Sequence, residues 1–541
     1  LILKQPKSRR KLVKALIKTE SWLTGKSQAL AAFFSGIMLA GAFSPWDFWP
    51  LALVSLTPLL GLSYLLPPKK ALAAGLLFGM GQGLAQMYWL NVVITQYGGL
   101  PWLASLLLFG LMALYLALYP TVFAFVASRF VKRGLPLLFV APLVWAGLEW
   151  VRAHILTGFP WLPLANSLAF CPKLLQTAEW WGTGGLSAGI VLINALVMKG
   201  FFAFREKRRI CLSGLAWVLT GVIIVACAWG FGERRIKYIQ GLAQQSPQLL
   251  VSVVQGNQSI ADIQNPGKKL SVVEKHLALT RKESEKQKKR PWLVVWSESA
   301  GPFYMLSEAR PSIKVLKGAG ELGAYLTLGT MGSVEKDGKY LPTNRSFLVD
   351  PLGRPHGWYD KVHLVPFGEY VPLGDFLFFV RAIAALGRDF APGEKGTTLK
   401  AGPAVLGPLI CYESIFSELA LSQRRRGANL IINQTNDAWF GRTGASRQHL
   451  SHLVLRSVEN RMSCARSANT GISGFILPDG TVHQLTGLFT EAVKTKQLPL
   501  LQINTFFTGH GDIFSKAALG ISILLLLLTL WPGFGHKGGL R

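Results

Sequence analysis

Acidic side chains are scarce in this chain: 28 Asp and Glu face 57 Lys and Arg, leaving a formal net charge of +29 over 541 residues. An excess of that size would suit a nucleic-acid partner, yet no recognition motif or basic groove accompanies it in a folded segment, and no nucleic-acid partner is expected. Cysteine is scarce too. Cys171, Cys211, Cys227, Cys411 and Cys464 form no CxxC pair and no zinc-like spacing, and an odd number of thiols cannot all be paired within one chain. A disulfide framework is therefore not expected. His449 and His452 stand three apart on an expected helix, but no third or fourth ligand lies near them in sequence, so no metal is expected. The stretches "GMGQG" and "GTGGLSAG" lack P-loop and dinucleotide spacing and fall inside apolar runs, where glycine permits close helix packing.

Apolar residues are what the chain has in abundance. They make up 50% of it, and the mean hydropathy of +0.33 is too high for an ordinary soluble protein. Seven apolar stretches, near 28–44, 49–66, 71–95, 101–130, 135–156, 178–204 and 210–231, reach or approach the roughly 20 residues that a bilayer-spanning helix needs. From Glu233 to about Phe514 the chain turns to short β-rich runs alternating with charged helical segments, and an eighth apolar run, Ala518 to Trp531, follows. The expected organisation is a basic N-terminus (1–27), a seven-helix membrane domain (28–232), a soluble domain (233–514), an eighth transmembrane helix (515–534) and a tail (535–541).

The basic residues fall on alternate connections. "KSRRKLVK", "PPKK", "RFVKRG" and "REKRR" carry them, while "SPWDFW", "TQYGGLPW" and "LTGFPWLPLANSLAFCPK" are nearly free of Lys and Arg and rich in Trp, Phe and Pro. By the positive-inside rule the former lie in the cytoplasm and the latter at the outer interface. An odd number of spans then puts the soluble domain outside, and the eighth returns "GHKGGLR" to the inside. The basic N-terminus could serve as the n-region of a signal peptide cleaved at "AGAFS", but an uncleaved first span is the expectation, and the orientation is the same either way. "KQKKR" (Lys286 to Arg290) and "RRR" (Arg424 to Arg426) read as solvated faces at helix ends. Within the membrane region, Glu149 and Arg152 stand three apart, so they can pair on one helix face and avoid an expensive lone charge. Gln82, Gln86 and Asn91 form a polar stripe that either lines a cavity or joins neighbouring helices.

Continuous apolar strands alternating with amphipathic helices over the soluble part predict a mostly buried sheet covered by helices. Three strand ends present reactive side chains: "VVWSES" delivers Glu298, "WYDKVHL" delivers Lys361 and "PLICYES" delivers Cys411. A cysteine attacks as its thiolate and needs a base to take the proton, while a tetrahedral adduct needs a cation or N–H donors for its oxyanion. A carboxylate, an ammonium and a thiol meet these needs without histidine or metal.

With "VVQGN", "YDKVHLVPFGEYVP", "ICYES", "NQTNDAWFG", "QHL" and "RSANTGISG" in order, the soluble part resembles the nitrilase (carbon–nitrogen hydrolase) superfamily, and with "LEWVRAHILTGFPWL" ahead of it the whole chain resembles that superfamily's membrane-embedded apolipoprotein N-acyltransferase branch. The resemblance implies an α-β-β-α sandwich on the extracytoplasmic side of a polytopic α-helical membrane domain of eight transmembrane helices, in the bacterial inner membrane. It makes Glu298 the general base, Lys361 the oxyanion-stabilising cation and Cys411 the acylated nucleophile, with Glu369, Tyr412 and Glu413 around the pocket and Trp439 and Asn344 as candidates for substrate or lipid contact. It implies a phospholipid acyl donor, usually the sn-1 chain of phosphatidylethanolamine, a diacylated apolipoprotein acceptor, and no ATP, metal or coenzyme A. Taken alone, Lys361 and Glu369 would suit a surface, and Glu413 a buried partner for some arginine. Cys464 has no acid–base companion nearby and reads as a core residue.

Two departures from the family pattern stand out. "WSE" replaces the usual "WPE" before the base, and no tryptophan follows "QGN", a gap that Trp439 could fill. "LTGFPWLPL" and the stretch from Val371 to Gly387 are candidates for the lining and lid of an opening towards lipid. Two other readings remain: a membrane-anchored amidase of the same superfamily, in which water resolves the acyl-enzyme, and a transporter whose external domain only binds ligand.

Overall fold

The computed structural model describes residues 25–207, 209–286, 293–336, 338–372, 389–531 and 534. Its first part is helical: α1 (Gly25–Ala40), α2 (Thr57–Leu65), α3 (Pro68–Gln86), α4 (Trp102–Lys132), α5 (Leu137–His154), α6 (Ala178–Lys207) and α7 (Leu212–Gln245). Prolines set several starts. Pro68 opens α3, and Pro101 and Pro136 immediately precede α4 and α5, positions where a missing N–H costs nothing because the first turn has no intrahelical acceptor for it.

The glycines of "GMGQG" serve helix packing, as the sequence predicts. A Cβ on Gly79 would fall 2.5 Å from the Ala117 Cα of α4, and one on Gly81 would fall 2.2 Å from the Phe33 carbonyl of α1. Among the described residues, α4, α5, α6 and α7 are the four helices long and apolar enough to cross a membrane. The segment Trp49–Leu65, which ends in α2, is a shorter apolar helix. α7 has 34 residues, about 51 Å at 1.5 Å per residue against a hydrocarbon core of about 30 Å. It therefore carries the chain, without a break at Glu233, to the first strand.

The second part is a pair of stacked sheets. The first is ordered β13-β1-β2-β4-β5-β6, with β3 on β4, and the second β12-β11-β10-β9-β8-β7. The strands are β1 (Gln248–Gln255), β2 (Leu293–Trp296), β3 (Gly301–Tyr304), β4 (Tyr325–Lys336), β5 (Lys339–Val349), β6 (Pro355–Asp360), β7 (Leu399–Ala401), β8 (Ala404–Ile410), β9 (Leu430–Thr435), β10 (Ser463–Ala468), β11 (Gly474–Ile476), β12 (Val482–His483) and β13 (Ala492–Pro499).

β1, β2 and β4 run parallel, as do β8, β9 and β10. β5 is antiparallel to β4 and β6 to β5, so β6 ends on the same edge as β2. That topology brings residues following β2 and β6 to one rim. α8 (Lys269–Lys286) and α9 (Ala309–Leu322) cover the outer face of the first sheet with Val273, Leu277, Val315 and Ala319 against Val254, Val294 and Leu326. Val251, Val295, Leu348, Leu406, Ile432 and Phe475 fill the space between the sheets.

α10 (Ser417–Arg425) and α11 (Ala445–Asn460) cover the second sheet, and they also seat the domain on the membrane helices. Leu419, Leu453, Val454 and Val458 belong to the same apolar cluster as Phe123, Val144, Leu164 and Leu175. Every residue of α11 except Arg447 is buried. Gln448 rivets the seat: its Oε1 accepts from the indoles of Trp89 (3.1 Å) and Trp161 (3.0 Å), and its Nε2 donates to the carbonyls of Ser44 (3.0 Å) and Gln86 (3.3 Å). Glu179 of α6 takes Arg235 of α7 at 2.7 Å and Arg461 at 2.9 Å. The last described helix is α12 (Ile513–Leu528), also short and apolar, packed on α5.

Two readings change and a third, left open between two roles, is resolved. Arg424 is not on a solvated face: it is buried and donates to the carbonyls of Ala428 (2.9 Å) and Ile503 (2.8 Å), tying α10 to the extended segment that follows β13, while Arg425 and Arg426 are exposed. Glu149 does not pair directly with Arg152. Its Oε1 accepts from the Trp145 indole (2.9 Å) and the Leu164 N–H (2.7 Å), while Oε2 is buried with no hydrogen-bond partner among the described residues. Gln82 and Gln86 line a cavity of about 30 Å³ with Tyr119, Glu149, Arg152 and Trp161, room for about one water, whereas Asn91 joins helices by accepting from Ser105 at 2.6 Å. Of "KQKKR", residues 287–290 lie outside the described residues, as do residues 373–387 of the candidate lid.

Candidate active site

Glu298, Lys361 and Cys411 meet at the rim where β2, β6 and β8 end. Glu298 sits in the turn after β2, which β4 can approach closely because Gly329 has no side chain: a Cβ there would fall 2.6 Å from the Glu298 Cα. Lys361 follows β6 and is buried to 1% exposure. Its Nζ lies 2.9 Å from Glu369 Oε1 and 3.8 Å from Glu298 Oε1. Cys411 ends β8 at φ +50° and opens the short 3-10 turn Cys411–Ile415, a left-handed conformation that a side chain with a Cβ adopts at a cost.

The carboxylates are held by aimed donors. Asn344 of β5 donates from Nδ2 to Glu298 Oε1 (2.8 Å) and also lies 2.9 Å from Glu369 Oε1. The Asn436 N–H donates to Glu298 Oε2 at 2.8 Å, and the Val365 N–H to Glu369 Oε2 at 2.8 Å. Asn344 therefore fixes two carboxylates relative to each other. Glu413, fully buried, has no arginine partner among the described residues: Oε1 accepts from the Tyr359 hydroxyl (2.8 Å) and the N–H groups of Val362 (2.7 Å) and His363 (3.1 Å), and Oε2 from the Ile410 N–H (2.7 Å). It ties the segment carrying Lys361 to the strand end carrying Cys411.

Burial dominates the electrostatics. It raises the Glu298 carboxyl above its ordinary range, opposed by the Lys361 ammonium and by a hydrogen bond with the Cys411 thiol, and assisted by the charge of Glu369. Burial likewise pushes the Cys411 thiol up to about 12, with the Glu298 charge adding to it and Lys361 opposing. For Lys361 desolvation acts downward, but the charges of Glu369 and Glu298 outweigh it and the ammonium is held firmly protonated. The resting site is thus a protonated thiol facing the Glu298 carboxyl, beside a fixed cation. Such a set can pass one proton and stabilise one oxyanion without a metal. Among the described residues, no group of three or more His, Cys, Asp and Glu is arranged to hold a metal ion.

The site also rests on the membrane domain. The Tyr412 hydroxyl donates to the Gly158 carbonyl at 3.2 Å, and its ring stacks on Phe159, both in the aromatic connection after α5. Trp439, 38% exposed, packs edge-on against Tyr97, whose hydroxyl donates to the Ala438 carbonyl at 2.7 Å.

Residue-by-residue reading of the sequence assigned no role to a buried cluster under Cys411: His449, Asp437 and Arg466. Arg466 donates to Asp437 Oδ2 (2.7 Å) and Asn433 Oδ1 (2.6 Å), and His449 Nδ1 lies 3.1 Å from Asp437 Oδ1. Although desolvation acts upward, Arg466 and His449 bring the Asp437 carboxyl down to about 2. The only sequence signal was their presence in "NQTNDAWFG", "QHL" and "RSANTGISG".

Residues 35–196 match the family described as the apolipoprotein N-acyltransferase N-terminal domain, and residues 250–505 match the carbon-nitrogen hydrolase family. The chain is 38% identical to an apolipoprotein N-acyltransferase of Geobacter metallireducens over 515 residues, covering 94% of this chain and 96% of that one. It is 32% identical to one of Allorhizobium ampelinum (88% and 91% covered) and 31% identical to one of Haemophilus influenzae (93% and 95% covered).

Proposed function

Because this chain belongs to the apolipoprotein N-acyltransferase family, we propose that Cys411 takes an acyl chain from a membrane phospholipid as a thioester and passes it to the α-amino group of the diacylglyceryl-cysteine that begins an apolipoprotein. The protein is a membrane-embedded acyltransferase of lipoprotein N-acylation. The convergence of Glu298, Lys361 and Cys411 on one rim, directly above helices that share a core with their domain, is the observation that carries the residue assignments.

In the first half-reaction Glu298 takes the thiol proton and the Cys411 sulfur attacks an ester carbonyl. The oxyanion of the tetrahedral adduct forms beside the Lys361 ammonium. Collapse breaks the C–O bond, and the departing glycerol oxygen receives the proton from Glu298, releasing lysophospholipid. In the second, the neutral α-amino nitrogen attacks the thioester carbonyl, Glu298 takes a proton from that nitrogen, the C–S bond breaks, and the proton returns to sulfur. An amide replaces a thioester, so no outside energy source enters. Asn344 and Glu369 hold the base and the cation in place.

Both substrates carry acyl chains that leave a bilayer with difficulty, at about 0.8 kcal/mol per buried methylene. The site therefore opens to the membrane surface, with exposed Trp439 and Phe367 as lipid-facing groups. Phosphatidylethanolamine is the proposed donor. All eight apolar helices are read as spans, with the catalytic domain on the extracytoplasmic side of the bacterial inner membrane. Support comes from the alternation of basic and aromatic connections.

The test is a transfer assay. Purified protein in vesicles of radiolabelled phosphatidylethanolamine or phosphatidylglycerol receives a synthetic diacylated lipopeptide. Label on the lipopeptide amine, faster from phosphatidylethanolamine, is the expected result. Label released only as free fatty acid would sink the transfer reading in favour of hydrolysis.

A further inference from the structure

A non-glycine residue at φ +50° persists only where its surroundings over-determine it. Three groups clamp Cys411. Glu413 Oε2 accepts from the N–H of the preceding Ile410 at 2.7 Å, Ser414 Oγ donates to the Cys411 carbonyl at 3.1 Å, and His449 Nε2 lies 3.0 Å from the same carbonyl oxygen and 2.8 Å from Ser414 Oγ, which has its one hydrogen on that carbonyl and so accepts from Nε2. A carbonyl has no hydrogen to give, so the His449 contact is a hydrogen bond only if Nε2 carries one and donates it.

The histidine is itself fixed on every side. Its Nδ1 lies 3.1 Å from Asp437 Oδ1 and 3.3 Å from Arg466, and its ring stacks on Trp161 with centroids 5.7 Å apart. The preceding residue is Gln448, which takes the Trp161 indole at 3.0 Å and grips three further groups of the membrane domain. His449 is fully buried and touches no space that a lipid could occupy. A planar trans peptide points its C=O and N–H in opposite directions. Pinning the Cys411 carbonyl against α11 therefore aims the Tyr412 N–H the other way, and in the first turn of a helix that N–H has no intrahelical acceptor.

The geometry points to His449 as a positioning residue for acyl transfer: by donating Nε2–H to the Cys411 carbonyl it fixes the peptide that follows the nucleophile, and through Trp161 and Gln448 it ties that peptide to the seating of α11 on the membrane domain. This rests on the reading of Cys411 as the acylated nucleophile. A role limited to completing the Asp437–Arg466 cluster would instead run through Nδ1.

Two conservative variants separate these roles, since a glutamine amide reaches where Nε2 lies and an asparagine amide where Nδ1 lies. Full-length wild type, His449→Gln and His449→Asn are placed in phosphatidylethanolamine vesicles, and the rate of acyl-mass gain on Cys411 is followed against phospholipid content, alongside thermal unfolding. His449→Asn should lose about 100-fold in the saturating acylation rate, the scale of an ångström-level misplacement, with its half-saturation unchanged, and His449→Gln should recover most of that rate. Equal rates for the two variants, whether both active or both lost with the fold, would overturn the inference. So would full activity in His449→Asn. No adduct on Cys411 in the wild type would instead overturn the nucleophile assignment, and this inference with it.

Discussion

Replacing Lys361 with methionine removes one charge from the site and little volume. Nζ stands 2.9 Å from Glu369 Oε1 and 3.8 Å from Glu298 Oε1. At an effective dielectric constant of about 20, unit charges so placed attract by on the order of 6 and 4 kcal/mol. Losing the Lys361 attraction would raise the Glu298 carboxyl further, on top of the burial that already raises it. Glu298 would then hold a proton more readily, and Cys411 would lose base strength along with its oxyanion partner. Orphaning a buried charge costs about 3–5 kcal/mol of stability, and losing one oxyanion donor costs about 100- to 1000-fold in rate. The double variant Lys361→Met with Glu369→Gln separates the two, because it removes the orphaned charge and leaves the cation absent. The assays are thermal unfolding in detergent and the rate of acyl-mass gain on Cys411. The single variant should lose both stability and rate, and the double variant should regain stability while staying about 100-fold slow. A double variant that acylates at the wild-type rate would refute the reasoning, because Lys361 would then only balance charge.

Glu298→Gln keeps the size of the base but cannot take a proton, so Cys411 acylation should fall about 100- to 10,000-fold, read by the same mass assay. Because burial and the Glu369 charge raise the Glu298 carboxyl, the acylation rate should fall with decreasing pH in a range above that of ordinary carboxylates. Glu369→Gln should move that fall to lower pH, and a shift upward in the pH profile would contradict the assigned coupling. Gln448→Ala leaves the indole N–H groups of Trp89 and Trp161 without their acceptor, at about 1–3 kcal/mol for each orphaned donor. A clear drop in the thermal midpoint should follow, and an unchanged midpoint would argue against the rivet. Trp439→Ala should raise the half-saturation for long-chain phospholipid about tenfold, as losing about 1.5 kcal/mol of apolar burial requires, and leave the rate on a short-chain soluble ester nearly unchanged.

Much of this was legible in one dimension because strand ends are where a buried sheet exposes side chains. "VVW" and "PLI" end β2 and β8, and the reactive groups follow at once. Helix existence was legible from apolar runs, while helix length was not: the sequence predicts a boundary near Glu233, but α7 continues to Gln245 because "ERRIKYIQGLAQQ" holds no proline and its good helix formers carry the single Gly241. Partners far apart in sequence stayed hidden. Asn344 read as a substrate contact, since only the pairing of β5 between β4 and β6 turns its amide onto Glu298 and Glu369. Glu413 suggested an arginine, yet the backbone of the Lys361 segment folds over it and supplies N–H donors instead. Arg424 looked like one more solvated base in a run of three, and only the return of the chain towards α12 encloses it. The spacing of His449 to His452 suggested only a metal pair, and its actual role stayed hidden because its contacts come from Asp437, Arg466 and the Cys411 carbonyl on three different elements.

The most direct test of the account is the intact mass of the protein after incubation with phosphatidylethanolamine vesicles, with peptide mapping of the added mass. A single acyl chain on Cys411, absent in Cys411→Ser and lost when diacylated lipopeptide is added as the lipopeptide gains the same mass, is the expected result. Acylation on any other residue, or transfer to the lipopeptide by the Cys411→Ser protein, would contradict it.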